Sequence, residues 1–316
     1  MRVALAGDTM LGRGVAQRLE TAPGTRLFDS AVREICRQAD FCVVNLECCI
    51  SARGEQWPDP HKPFFFRAPP VAADLLADLG VDCVTLANNH ALDFGYDALL
   101  DTFEHLRAAG IRWVGAGTDV GAAREPTVLE NGPLRLIVVG ASDHVADYAA
   151  GPDRPGIALD ELRNGASPWL VGAVEGRRGD AVLVSPHWGP NMVAEPLPRI
   201  RTTARTLVTA GASIVAGHSA HVFHGVEPPV LYDLGDFVDD YAVDPVLRND
   251  LGLLFVVTLE SGRIELIEAF PIKLDYCYTG VATGDDAAWI RTRFSSACEK
   301  LGTPVQVEDE RLTIRA

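Results

Sequence analysis

Five apolar runs in this chain stop at residues of one chemical kind. RVALAG ends at Asp8, FCVV at Asn45 and Glu47, and VTLA at Asn88, Asn89 and His90. VLVSP ends at His187, and SIVAG at His218 and His221. Runs this short and this apolar read as strands buried on both faces, the pattern of a parallel sheet. Ligands of open α/β sheets gather outside the carboxyl ends of such strands. Taken singly, each residue has a plain structural explanation: Asp8 caps a helix, Asn89 occupies a left-handed turn, His187 is a hydrogen-bonded core histidine. Taken together, they bring carboxylate, amide and imidazole to one sheet edge, and that is a ligand constellation.

Amphipathic stretches separate many of the strands, among them 29–38, 71–79, 96–109 and 199–210. Helices alternating with strands give βαβ units and a sheet with helices on its faces. Gly80 and Gly211 each precede a strand-like run and fit helix C-caps. LLFVVTLESGRIELIEAFPI differs, because two β-rich runs flank Ser261-Gly262 as in a hairpin. The expected organisation is a main α/β domain, 1–272, and a C-terminal extension, 273–316. In that extension DDAAWIRTRFSSACEKLG reads as a helix packed on the main body. The Pro- and aromatic-rich stretch 51–70 reads as an excursion over the site.

With 316 residues and 47% hydrophobic content, the chain can bury a full core. Its formal charge of −15 opposes nucleic acid, anionic lipid and polyanionic partners unless a cation intervenes. MRVALAGDTM opens on an apolar run too short for a signal-peptide core, and no later run reaches bilayer length uninterrupted. The expectation is a cytoplasmic protein without membrane insertion, its oligomeric state open. The seven cysteines show no CxxC spacing and read as reduced thiols.

GHSAHVFHG, 217–225, holds three of the eight histidines in the chain. Oxygen and imidazole donors without thiolate suit one or two hard to borderline divalent ions: Mn, Mg, Ca, Fe or Zn. Such an ion lowers the pKa of bound water from 15.7 to about 7. Held on a carbonyl oxygen, it acidifies the adjacent Cα–H instead.

GDTMLGR, NLECCIS, KPFFFRAPP, LANNHALDFG, HWGPN, GHSAHVFHG and LYDLGDF follow one another across 2–241. In order and style they resemble the CapA family, named for poly-γ-glutamate capsule biosynthesis, within the calcineurin-like metallophosphoesterase superfamily. The resemblance implies a four-layer αββα sandwich with mixed sheets and a metal site at the carboxyl ends of the strands. It implies Asp8, Glu47, Asn89, His187 and His218 as metal ligands, with Asn45 beside Glu47. It implies His90, His221 and Asp8 in catalysis and leaves His224 outside the ligand set. The chain also departs from the pattern. Met10 stands where the phosphoesterases carry the histidine of Asp-x-His, and Asn191 replaces a common glutamate. Asp233 and Asp236 add acid near the site.

The expectation is a metal-dependent hydrolase acting on an amide, γ-glutamyl or phosphoester bond, with these departures weighing against classical phosphoesterase action. Its substrate is a peptide or small molecule. One alternative is metal-assisted proton transfer, such as Cα epimerisation, with Asp8 or a nearby carboxylate facing His221. The other is a non-catalytic accessory role in poly-γ-glutamate capsule biosynthesis. Substrate contacts are expected from Asn45, Arg67, Trp188 and Asp236, with Arg67 suited to bidentate recognition of a carboxylate or phosphate. Arg13 offers the same chemistry but reads as a surface residue, and phenylalanines 64–66 read as half core, half pocket wall.

Overall fold

The computed structural model describes residues 1–22, 26–162, 165–177 and 181–315. Two large sheets dominate it. Across the first, the order is Gln306–Glu308, Arg311–Arg315, Arg263–Asp275, Leu251–Glu260, Arg2–Thr9, Phe41–Leu46, Cys83–Thr85 and Arg112–Val114. The last four are mutually parallel, and the C-terminal strands beside them are antiparallel. The second sheet runs Val226–Glu227, Val230–Leu231, Ile214–Ala216, Ala181–His187, Leu134–Ser142 and Thr127–Asn131. Its four central strands are parallel and its two edges antiparallel.

Strand alternation sorts the side chains into three cores. Val3, Leu5, Phe41 and Val43 point between the sheets, where they meet Leu136, Val138, Leu183 and Ile214. Their neighbours Ala4, Ala6, Cys42 and Val44 point outward, onto the helical layer containing Val15, Val32, Leu76 and Leu99. On the second sheet Ile137, Val139, Val182 and Val215 point outward onto Leu170, Ala204 and Leu207. The result is the four-layer αββα sandwich, with both parallel strand sets buried on two faces.

The local signals read in the sequence become elements. The helices are Ser30–Arg37, Val71–Leu79, Gly95–Ala108 and Pro198–Ala210. Asp29 caps the first by accepting from the Val32 amide at 2.7 Å, a contact worth about 1 kcal/mol. Gly80 and Gly211 end theirs in the left-handed conformation. Ser261 and Gly262, both at positive φ, turn the hairpin between Leu251–Glu260 and Arg263–Asp275.

Residues after that hairpin continue the first sheet, through Tyr278–Val281 and Arg311–Arg315 paired to Arg263–Asp275. The helix Gly284–Glu299 buries Ala287, Ile290, Phe294 and Cys298 in the core between the sheets. There Phe294 lies 6.2 Å from Phe223 and 5.9 Å from Phe255. All seven cysteines are buried and free. Among the described residues, no helix is long and apolar enough to cross a membrane.

Candidate metal centre

The carboxyl ends of the parallel strands converge because backbone comes very close to backbone there. The Asp8 amide donates to the Gly235 carbonyl at 2.9 Å, and Asp8 stands in register with both Asn45 and Asp236. A Cβ at Gly7 would sit 1.9 Å from the Gly235 oxygen, so only glycine permits this approach. From the second sheet, His187 and His218 bridge as neighbours at the ends of their strands. His221 follows at φ 58°, a left-handed conformation that histidine tolerates better than most residues.

Two donor groups meet at Asp8. The first comprises Asp8, Glu47, His221 and Asp236, all buried, with one ligand atom from each lying within 4.8 Å of the others. His221 Nδ1 is 2.8 Å from Asp236 Oδ1 and 3.3 Å from Asp8 Oδ2. The Tyr241 hydroxyl reaches Glu47 Oε2 at 3.4 Å. The second group is Asp8, His187 and His218, under the same distance limit. The two imidazoles face each other, Nδ1 to Nδ1, at 2.8 Å, and the Ser185 hydroxyl lies 3.1 Å from His218 Nε2.

Beneath them an amide relay fixes the carboxylate. Asn88 Nδ2 donates to Asn45 Oδ1 at 2.9 Å, and Asn45 Nδ2 donates to Asp8 Oδ1 at 2.6 Å. Beside them, His90 Nδ1 is held by Asp93 Oδ2 at 2.6 Å, with the Phe66 ring stacked on the imidazole at 4.0 Å. Asp93 also takes the Tyr148 hydroxyl at 2.9 Å and Lys62 Nζ at 3.0 Å. His90 therefore keeps its other nitrogen for the cavity of about 510 Å³ that it lines together with His221.

The electrostatics are lopsided. Burial raises Asp8, Glu47, Asp233 and Asp236 above the ordinary carboxylate range, and Asp239 to about 6. Their mutual repulsion adds to the effect for Glu47, Asp233 and Asp236. Burial opposes charge on His221 too, but Glu47, Asp8, Asp233 and Asp239 outweigh it and lift its pKa. The other imidazoles go the opposite way: burial lowers His187 strongly, His218 to about 3 and His90 to about 4.

Asp8 Oδ2, Glu47 Oε1, Asn89 Oδ1 and Asp236 Oδ2 are buried and have no hydrogen-bond partner. Three of them belong to carboxylates that converge beside neutral imidazoles, a set that fits a divalent cation by charge and by donor type.

The expected residues divide by where they lie. Asp8, Glu47, Asn89, His90, His187, His218 and His221 all fall at this edge. Asn45, expected to touch substrate, lies buried beneath Asp8 and orients it. Asp236, also expected on substrate, belongs to the carboxylate group. Trp188 does not wall the pocket: it is in the outer core of the second sheet, its indole N–H donating to the Tyr232 carbonyl at 2.9 Å. Arg67 sits outside the His90 cavity, bonded to the Arg53 and Gly54 carbonyls and stacked over Phe94. Met10 is a core residue, which leaves that ligand position apolar. His224 is buried outside both groups, bonded through Nε2 to the Val193 carbonyl at 2.8 Å.

Sequence reading missed Asp93, Asp143 and His144. The His144 ring lies 5.0 Å from His187 and its Nδ1 contacts Asp143. Both residues follow directly on the strand Leu134–Ser142, so the strand-end rule that found the others points to them as well.

Fold and donor set together define a calcineurin-like metallophosphoesterase scaffold. The family model for bacterial capsule synthesis protein PGA_cap matches residues 2–241, and the chain belongs to that family. It is 31% identical to a "Probable polyglutamine synthesis accessory protein" of Mycobacterium tuberculosis, over 98% of this chain and 94% of that one. It is 28% identical to the "PGA biosynthesis protein CapA" of Bacillus subtilis, over 76% of this chain and 63% of that one. A hypothetical protein from Thermus thermophilus shares the fold, with a TM-score of 0.51 at 17% identity, over 86% of this chain and 99% of that one.

Proposed function

We propose that the chain is a divalent-metal-dependent hydrolase that cleaves an amide bond of the γ-glutamyl type. One observation carries this reading: two donor groups share Asp8 beside a cavity lined by a histidine whose far nitrogen is fixed by Asp93. Asp8, Glu47, Asn89, Asp236, His187, His218 and His221 would hold one or two ions. A bound ion there supplies Lewis-acid polarisation and a water of lowered pKa.

The chain's own residues do the rest. Asn45 and Asn88 hold the Asp8 carboxylate in place. Asp93 fixes the His90 tautomer, so that Nε2 moves a proton between water and the departing nitrogen. His221, gripped by Asp236 and near Asp8, acts as a ligand rather than a free acid. Met10, in place of a histidine ligand, favours amide over phosphoester cleavage. The relatives named for polyglutamine and PGA synthesis direct the choice to γ-glutamyl substrates.

The test measures metal content, then turnover of γ-glutamyl amides, a phosphodiester and Cα deuterium exchange in peptides. One or two equivalents of metal and hydrolysis abolished by chelation are expected. His90→Ala is expected to lose about 10²- to 10⁴-fold in rate while keeping its metal. Deuterium exchange without hydrolysis would make the protein an epimerase. Bound metal with no turnover of any kind would leave the accessory role.

A further inference from the structure

Among the described residues, seven large apolar side chains are exposed, and three of them line one cavity. Phe64, Met192 and Val243 line the cavity that reaches His90 and His221. Val246, 77% exposed, follows on the same segment as Val243. The Tyr276 ring lies against Gly14, next to Arg13. Single exposed apolar residues are ordinary, but three of them lining one cavity mark a binding surface.

Charge narrows what it binds. Arg13 is the one arginine or lysine among the described residues lining this cavity. Its guanidinium lies over the rings of Phe64, Phe66 and Tyr241 at 5.5 to 5.9 Å. Asp240 pairs with it at 3.3 Å and takes part of its charge. Below lie the buried carboxylates of Asp8, Glu47 and Asp236. Such a mouth, to which Asp244 adds a further acid, repels a polyanion and offers one cationic place for a single carboxylate. It sets Phe64, Met192 and Val243 beside the amides of Asn191 and Asn249.

We infer that the substrate is a γ-glutamyl amide whose amine portion carries an apolar side chain. That side chain lies against Phe64, Met192 and Val243, and one carboxylate of the substrate meets Arg13. This rests on the hydrolytic reading above. Water adds across the amide, its hydroxyl to the acyl carbon and its proton to the departing nitrogen, with no oxidant or reductant.

The experiment compares γ-glutamyl-leucine, γ-glutamyl-glycine and γ-glutamyl-glutamate on the manganese-loaded protein, by kcat/KM and by equilibrium dialysis. The leucine compound is expected to lead the glycine one by about tenfold or more, the scale a side chain of this size commands in an apolar pocket. The glutamate compound is expected to be the poorest. Val243→Asp and Phe64→Ser, both at exposed positions, are expected to bring the leucine-to-glycine ratio toward unity with manganese binding unchanged. Equal use of all three compounds, or a ratio that survives both substitutions, overturns the inference. Preferential binding of the leucine compound without cleavage keeps the inference and sinks hydrolysis. Cleavage without preference does the reverse.

Discussion

The two donor groups share Asp8 and little else. On one side Glu47, Asp236 and their neighbours Asp233 and Asp239 crowd acid into a buried space, where burial and repulsion raise their pKa values. On the other side His187 and His218 are kept neutral by burial, and one hydrogen-bonds a serine. The acidic side is electrostatically unsatisfied on its own, whereas the imidazole side is satisfied. Affinity for a hard cation therefore resides with the carboxylates, and the imidazoles select among ions by their softer nitrogen donors. Asp8 alone serves both.

The largest effect should come from that shared residue. Asp8→Asn is expected to abolish manganese binding in calorimetry and to reduce turnover by about 10³-fold or more, the scale seen when a member of a catalytic unit is lost. A comparable loss of all binding in His187→Asn would mean that the two sides do not differ as described.

A smaller effect separates the sides by stability rather than activity. Removing one of several repelling buried carboxylates relieves the metal-free protein, so Glu47→Gln should stabilise it by about 1 to 2 kcal/mol. His187→Asn disturbs a buried, hydrogen-bonded neutral group and should destabilise it by about 1 to 3 kcal/mol. Urea unfolding in chelator reads both values, and shifts of the same sign would erase the contrast.

How much of this was legible follows from where each residue sits. Asp8, Glu47, Asn89, His187 and His218 each follow an apolar strand, so sequence adjacency alone carried them to the edge. Trp188, expected at the pocket, follows strand alternation instead: the residue after an inward-facing His187 faces the outer helices. Asp93 and Tyr241 lie in irregular segments, where no period tells which way a side chain turns. The stripe Ala287, Ile290, Phe294 and Cys298 announced a buried helix face, but a stripe does not name its partner. Here that partner was the space between two sheets. The apolar mouth was similarly hidden, because Phe64, Met192 and Val243 are far apart in the chain and only the fold assembles them.

One short segment holds a similar contrast. His221 and His224 are both buried, yet carboxylates lift the pKa of the first while burial lowers the second to about 4. For His224 burial, helped by Arg293, outweighs the Val193 carbonyl and Glu195, which favour the proton. With a folded pKa below the unfolded value, the unfolded chain binds more protons between about pH 6.5 and 4. The contribution of His224 is therefore intact above pH 6.5 and is lost as pH falls through that window. At pH 5.5 the loss is about 1 kcal/mol. His224→Gln keeps a donor for the Val193 carbonyl and removes the titration, so the variant should lose stability less steeply than the parent between pH 7 and 5.5. His90, His187 and His218 titrate with the same sign in both proteins, and only the difference between the two curves belongs to His224. Parallel curves would mean that Glu195 already holds His224 near its ordinary pKa, and that only the acidic cluster sets one of these two histidines apart.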